Sequence, residues 1–300
     1  MNWRTPPVFA LLFATAPIAA HADPIPQPVE AMIRAAFESG DAASFASTVN
    51  LAKKTNPGST AEIDALAAQL HADADRIHHE KLTHEGFFEG WTGQGLAGLS
   101  NATGNTRNTG IALGLSFARD GIDWRHSFNA TVDYARDNGI EDKDHYFAGW
   151  ESDYKFSERF YALGLASWES DRFSGFDSRL SESVGLGYFL IKSPDMQLSV
   201  QAGPALRQTD YIVGGTQNSF AGMAAANYQW TILPSLIFSE NATFYGESRD
   251  STLTSNTALT AKLIGALSAQ ASFFVQYESN PPLGLENTDT TSRLALVYSF

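Results

Sequence analysis

IDWRHSFNATVDYA, Ile122 to Ala135, separates its residues by parity. Even positions Ile122, Trp124, His126, Phe128, Ala130, Val132 and Tyr134 are mostly apolar, while Asp123, Arg125, Ser127, Asn129, Thr131 and Asp133 are polar. Successive strand side chains point to opposite faces, so the stretch reads as a β-strand with one apolar and one polar face. The pattern recurs. In RNTGIALGLSFA, Ile111, Leu113, Leu115 and Phe117 oppose small residues; in MQLSVQAGPALRQT, Leu198, Val200 and Leu206 oppose Gln197, Gln201 and Arg207; in AQASFFVQYES, Phe273, Val275 and Tyr277 oppose Ser272, Phe274, Gln276 and Glu278. Strands near Phe160 and Leu236 alternate less cleanly and their faces stay unassigned.

A soluble sandwich alternates too, so the connections carry the decision. Short turns at Arg119, Phe156, Lys192, Ile232 and Gly265 take turns with long polar stretches beginning at Asn101, Arg136, Asp171, Thr209, Gly246 and Ser279. Strict alternation of short and long connections predicts about twelve antiparallel strands with both ends on the short-turn side. That is the plan of an all-β, transmembrane antiparallel β-barrel of the outer membrane, with short periplasmic turns and longer outer loops. The stretch LALVYSF fits as a last strand: Leu294, Leu296, Tyr298 and Phe300 share one face, and an end in tyrosine-x-phenylalanine resembles the C-terminal signal read by the barrel assembly machinery. Trp124, Phe128, Tyr134, Trp150, Tyr228, Trp230 and Tyr277 are expected on the lipid-facing side, where aromatic residues gather at the interfaces.

The stretch GWTGQGLAGLSNATGNT, Gly90 to Thr106, followed by WRH at Trp124, LGYFL at Leu186 and LSVQAGPALR at Leu198, resembles the salt-induced outer-membrane protein family, domain of unknown function 481. The resemblance covers roughly Phe87 to Phe300. It implies an outer-membrane location and an association with osmotic or salt response, and it brings no catalytic residues.

Ahead of the barrel, residues 1–22 carry one charge, Arg4, an apolar run from Val8 to Ala20 and a small-x-small AHA at Ala20 to Ala22. These features predict a secretory signal peptide and export through the general secretory pathway. Without it, 19 basic groups face 33 acidic ones, a balance that argues against nucleic acid as a partner. There is no cysteine, hence no disulfide and no thiolate chemistry. Residues 23–85 are alanine-rich and predict two or three short helices, with Asp41 as an N-cap and Ser59 with Glu62 as a capping box at the third. This periplasmic segment is expected to serve as a spacer or a docking element for a periplasmic partner, or to fold back as a plug; residues 86–300 form the barrel.

With the apolar face toward lipid, the lumen is expected to collect Asp123, Arg125, Asp133, Glu151, Asp153, Lys155, Arg207, Lys262, Glu278 and Arg293. Such a lining supports either a narrow path for ions and small solutes or a lumen closed by mutual ion pairs. A histidine-assisted lipid hydrolase needs serine and histidine on one face, and His126 and Ser127 are adjacent, hence on opposite faces. His71, Asp75, His78 and His79 share helical spacings, but a solvated helix face explains them better than a metal. No cofactor motif is present; lipids and lipopolysaccharide are the expected surroundings. The reading is therefore of a non-enzymatic barrel, with a lipid-modifying enzyme or a docking barrel as alternatives.

If Phe300 belongs to the assembly signal, Phe300→Asp abolishes the heat-modifiable barrel species in outer-membrane fractions. An unchanged gel shift would refute that role.

Overall fold

The structure is a computed structural model that describes residues 23–40, 42–84, 86–105, 108–137, 140–172 and 174–300. The expected signal peptide and the Asp41 cap lie outside these residues. Two compact units divide at Lys81 and Leu82.

The first unit holds α1 (Gln27–Glu38), α2 (Ala42–Thr55) and α3 (Thr60–His84), with a short 3-10 turn, Pro57–Ser59, before α3. One apolar face per helix closes a small core of Ile33, Phe45, Val49, Ala52, Ile63 and Leu66. The predicted capping box is not made. Ser59 is buried within the 3-10 turn and bonds the Pro24 carbonyl, while the Glu62 carboxylate accepts the Ile25 backbone N–H at 3.1 Å, tying the start of the unit to α3. His71 is exposed, as a solvated face requires, and its ring also packs edge-on against Phe37 and Phe45, at 5.2 and 5.3 Å. No helix among the described residues is long and apolar enough to cross a membrane.

The second unit is a closed barrel of twelve antiparallel strands: β1 (Thr92–Thr103), β2 (Asn108–Asp120), β3 (Trp124–Asp137), β4 (Ile140–Lys155), β5 (Phe160–Asp171), β6 (Phe176–Lys192), β7 (Met196–Tyr211), β8 (Gly215–Leu233), β9 (Leu236–Glu247), β10 (Ser251–Ile264), β11 (Leu267–Glu278) and β12 (Thr288–Ser299). Each strand pairs with its sequence neighbours, and β1 with β12. Strand spacing near 4.8 Å and a tilt of about 40° put the backbone roughly 12 Å from the axis. The seam is finished by reciprocal bonds: Gly93 N–H to the Phe300 carbonyl at 2.8 Å and Phe300 N–H to the Gly93 carbonyl at 2.9 Å. The Phe300 ring lies over Gly93, where a Cβ would approach it to 2.4 Å, so a side chain at Gly93 would displace the ring.

Parity sorts the wall. Leu99, Val184, Leu206 and Leu294 point outward and are 57 to 70 % exposed, as apolar side chains facing lipid must be in the isolated chain. Their neighbours Ser100, Ser183, Arg207 and Arg293 point inward. β5 and β8 depart from polar-in alternation, for Tyr161, Leu163, Ala221 and Met223 form an apolar cluster inside with Ala205 and Tyr245. This explains the poor alternation near Phe160: apolar residues occupy both faces there. The Tyr161 ring is seated against Gly187, directly opposite on β6, where any Cβ would fall 2.1 Å from it.

The long polar connections are a correction. Asp137 pairs with Ile140, Tyr211 with Gly215, and Ser251 with Gly246, so most of the stretches beginning at Arg136, Thr209 and Gly246 are strand. Polar residues extend a ladder as well as apolar ones because the hydrogen bonds belong to the backbone, and above the lipid band no apolar face is required. A longer loop does remain between β11 and β12. It meets the β1–β2 turn through Asn105, whose amide donates to Asp289 at 2.7 Å and whose side-chain oxygen accepts the Glu286 N–H at 2.6 Å. Ser174, in the β5–β6 turn, bonds Asp171 at 2.8 Å and reaches Asp289 at 3.5 Å, so three connections are pinned together over the long-loop mouth.

Candidate functional site: a charged belt above an open vestibule

Each inward-facing charge must find a partner or water, because an unpaired buried ion is costly. The partners come from across the barrel. Arg293 on β12 grips Asp133 on β3 by donating from Nε and Nη2 to the two carboxylate oxygens, at 2.9 and 2.5 Å. His145 on β4 lies 3.7 Å from Asp133 and 3.1 Å from Glu169 on β5. Arg179 on β6 stands 4.0 Å from Glu169 and 2.5 Å from Glu278 on β11. Thr252 on β10 donates to Glu278 at 2.8 Å and accepts from Arg207 on β7 at 2.8 Å; Arg207 ends on Glu247 of β9 at 2.5 Å. The chain of contacts runs through β12, β3, β4, β5, β6, β11, β10, β7 and β9, and the steps from β12 to β3, from β6 to β11 and from β7 to β10 cross the lumen. Each arginine also lies over an aromatic ring: Arg179 over Phe176, Arg207 over Tyr245 and Arg293 over Phe274, at 4.1, 4.7 and 5.4 Å. Stacking holds the guanidinium plane while the carboxylate takes its edge. A chamber of about 300 Å³ borders this belt, lined by His145, Glu169, Arg207, Asn256 and Arg293 among others.

Toward the short-turn rim the lumen widens to a vestibule of about 860 Å³ that reaches Thr92, Gln229 and Ser299. Arg125 and Asp153 pair in its wall, with the guanidinium 5.0 Å from the Tyr161 ring centre and 5.2 Å from that of Phe189. Glu151 accepts from Gln201 at 2.7 Å, and Lys155 closes on Asp120 at 2.7 Å at the rim.

Of the residues expected in the lumen, Arg125, Asp133, Glu151, Asp153, Lys155, Arg207, Glu278 and Arg293 lie on the inner face, and the structure joins four of them, Asp133, Arg207, Glu278 and Arg293, in the belt. Lys262 shares the inner parity of Thr252 but sits exposed at the rim end of β10. Asp123 is a correction. It is exposed in the turn before β3, where its carbonyl accepts the Lys155 N–H at 2.7 Å; its parity matched the strand, but the strand begins one residue later. Glu169, Arg179 and Glu247 were missed, Arg179 and Glu247 because they fell in stretches taken as loops and Glu169 because β5 had no assignable face. The aromatic residues Trp124, Phe128, Tyr134, Trp150, Tyr228, Trp230 and Tyr277 occupy the outer parity of their strands, as do Leu294, Leu296, Tyr298 and Phe300.

Polar groups on the outer face satisfy one another. His126 Nδ1 lies 2.8 Å from Ser152 Oγ, which also accepts from Trp150 Nε1 at 2.8 Å. The serine that meets His126 belongs to the neighbouring strand, a pairing invisible to spacing within one strand. A hydrolytic triad would need a third group holding the other ring nitrogen. Instead the ring is enclosed by Phe87, Trp91, Trp124 and Trp150, and acts as a clasp that fixes the approach to β1. Glu240, also outward, takes hydroxyl bonds from Ser255, at 2.6 Å, and Thr257.

A family model described as protein of unknown function, DUF481, matches residues 96–300. The chain belongs to the DUF481 family. A relative from Escherichia coli (strain K12), the uncharacterized protein YdiY, is 25% identical over 251 residues, 82% of this chain and 98% of the relative. That match is longer than the barrel, so it takes in part of the helical unit, which the sequence resemblance had left outside. Among solved structures, this DUF481 barrel is similar to the NanC porin, with TM-score 0.46 and 10% identity over 69% of this chain and 98% of that one. It is also similar to the COG4313 outer membrane channel of Pseudomonas putida F1, with TM-score 0.42 and 12% identity over 72% and 98%.

Because Asp133 is fully buried against Arg293, Arg293→Met is expected to cost about 3–5 kcal/mol. Adding Asp133→Leu should restore most of it. Urea unfolding of the refolded barrel in detergent measures both, and equal stability of wild type and single variant would contradict the pairing.

Proposed function

We propose that this protein is an outer-membrane barrel, exported through the general secretory pathway, that passes ions or small polar solutes through a lumen closed at rest by the charged belt. The observation that carries the reading is the division of the lumen: a wide polar vestibule at the short-turn rim, which this placement puts on the periplasmic side, adjoins the chamber of about 300 Å³, with which it shares Ser127, Asn129 and Glu151. That chamber runs up to the cross-lumen contact Arg207–Thr252, which Thr252 joins to the pair Arg179–Glu278. A wall built only for rigidity has no need of a vestibule, and an unobstructed pore has no need of struts across it. Charges that line a constriction set which ions pass. A role in osmotic or salt stress follows from the family resemblance and suits a passage that stays shut until its belt is loosened. Residues 23–85 serve as a periplasmic spacer or docking element.

The test is planar-bilayer conductance of the refolded full chain beside Arg179→Ala and Arg207→Ala. Small, infrequent steps in the wild type and larger or more frequent ones in both variants are expected. Silence from all three, with folding shown by heat-modifiability, would overturn the pore reading in favour of a docking barrel. For the stress role, a strain lacking the gene should grow more slowly than its parent at high NaCl and equally at low NaCl; equal growth at both would remove that role.

A further inference from the structure

The vestibule has a wall chemistry of its own. Side-chain amides project into it at Asn129, Gln197, Gln201, Asn227, Gln229 and Asn241. Asn129 on β3 and Asn241 on β9 stand six strands apart in a ring of twelve, so they face each other from opposite walls. The charged groups nearby are already committed. Arg125 is paired with Asp153 and covered by Tyr161 and Phe189, and Glu151 accepts from Gln201, which also donates to the Tyr161 hydroxyl at 3.2 Å. Among the described residues, no hydrogen bond ties the amides of Asn129, Gln197, Asn227, Gln229 or Asn241 to another side chain or to the backbone.

This arrangement selects a ligand chemistry. Each amide offers two donors and an acceptor that takes two bonds, the same mixture that a hydroxyl carries. An anion would need an uncompensated cation, and the wall has none to spare, since Arg125 is held by Asp153; the one carboxylate without a cation of its own, Glu151, is engaged by the Gln201 amide. An apolar molecule would strip water from the amides and return nothing, at roughly 1–3 kcal/mol for each group left unsatisfied. A cavity of about 860 Å³ falls in the range of about 300–1,000 Å³ usual for ligand sites. We infer that the vestibule binds an uncharged, polyhydroxylated solute of the size of a short oligosaccharide, admitted through the short-turn rim and held between the amides of β3, β7, β8 and β9. The inference rests on the solute-handling reading above and adds the class of solute.

Isothermal titration calorimetry of the refolded full chain, in a detergent without a sugar headgroup, tests it with maltose, maltotriose and maltohexaose as probes and NaCl and glycine betaine as controls. Saturable binding of at least one sugar and of neither control is expected, weakened tenfold or more in both Asn129→Leu and Asn241→Leu. Asn227→Asp, nearly isosteric but lacking the donor, should weaken it as well and covers the case in which a leucine variant does not fold. Absence of saturable sugar binding, or undiminished affinity in the folded variants, overturns the inference. Conductance on the same preparation separates the two readings. Steps without sugar binding would leave the pore reading standing and sink this one; sugar binding without steps would do the reverse.

Discussion

A strand surrounded by lipid has no water to bond its edge, so the barrel depends on the seam between β1 and β12. Every backbone donor and acceptor at membrane depth must be used within the wall, and only closure achieves that. Here the seam runs from Gln94 opposite Ser299 to Thr103 opposite Thr290, and it is locked at the rim by the two reciprocal bonds of Gly93 and Phe300. Once the seam fixes its register, the side-chain period of two assigns every residue to lipid or to lumen. A slip by one residue would send Arg293 to lipid and Leu294 inside.

Closure also creates the electrostatic problem that the belt solves. Ionic side chains driven inward by parity leave bulk water for a confined space, where each must be paired or pay for its desolvation. The arginines answer with two contacts each, an edge to a carboxylate and a face to an aromatic ring. Partners drawn from nine strands make the belt a set of struts as well as an obstruction. The amide-rich vestibule needs less such bracing: most of its polar side chains are neutral, and its one arginine, Arg125, is held in the same way by Asp153 and two rings.

The outer face shows the complementary constraint. Glu240 and His126 have the parity that faces lipid, and each is satisfied by hydroxyls from an adjacent strand, Ser255 and Thr257 for one and Ser152 for the other. Polar groups are tolerated there when neighbours complete their bonds. In the case of His126, the surrounding indoles also hold the chain leading into β1.

The amino-acid sequence by itself determined the architecture: strand count, the parity of β2, β3, β7, β11 and β12, the common rim of the chain ends, and the helices ahead of the barrel. These are local properties, since a period of two and the spacing of short turns are written in neighbouring residues. Strand ends were poorly legible, because backbone pairing continues where the apolar face stops; this cost the inward positions of Arg179 and Glu247 and misplaced Asp123. Interior apolar residues on β5 hid Glu169 for a related reason, since two apolar faces leave no alternation to read. Only the tertiary structure decided which charges meet. Arg179 and Glu278 are 99 positions apart, and Arg293 and Asp133 are 160 apart. Their contact follows from ring closure, stagger and the width of the lumen, quantities that belong to twelve strands together and to no single one.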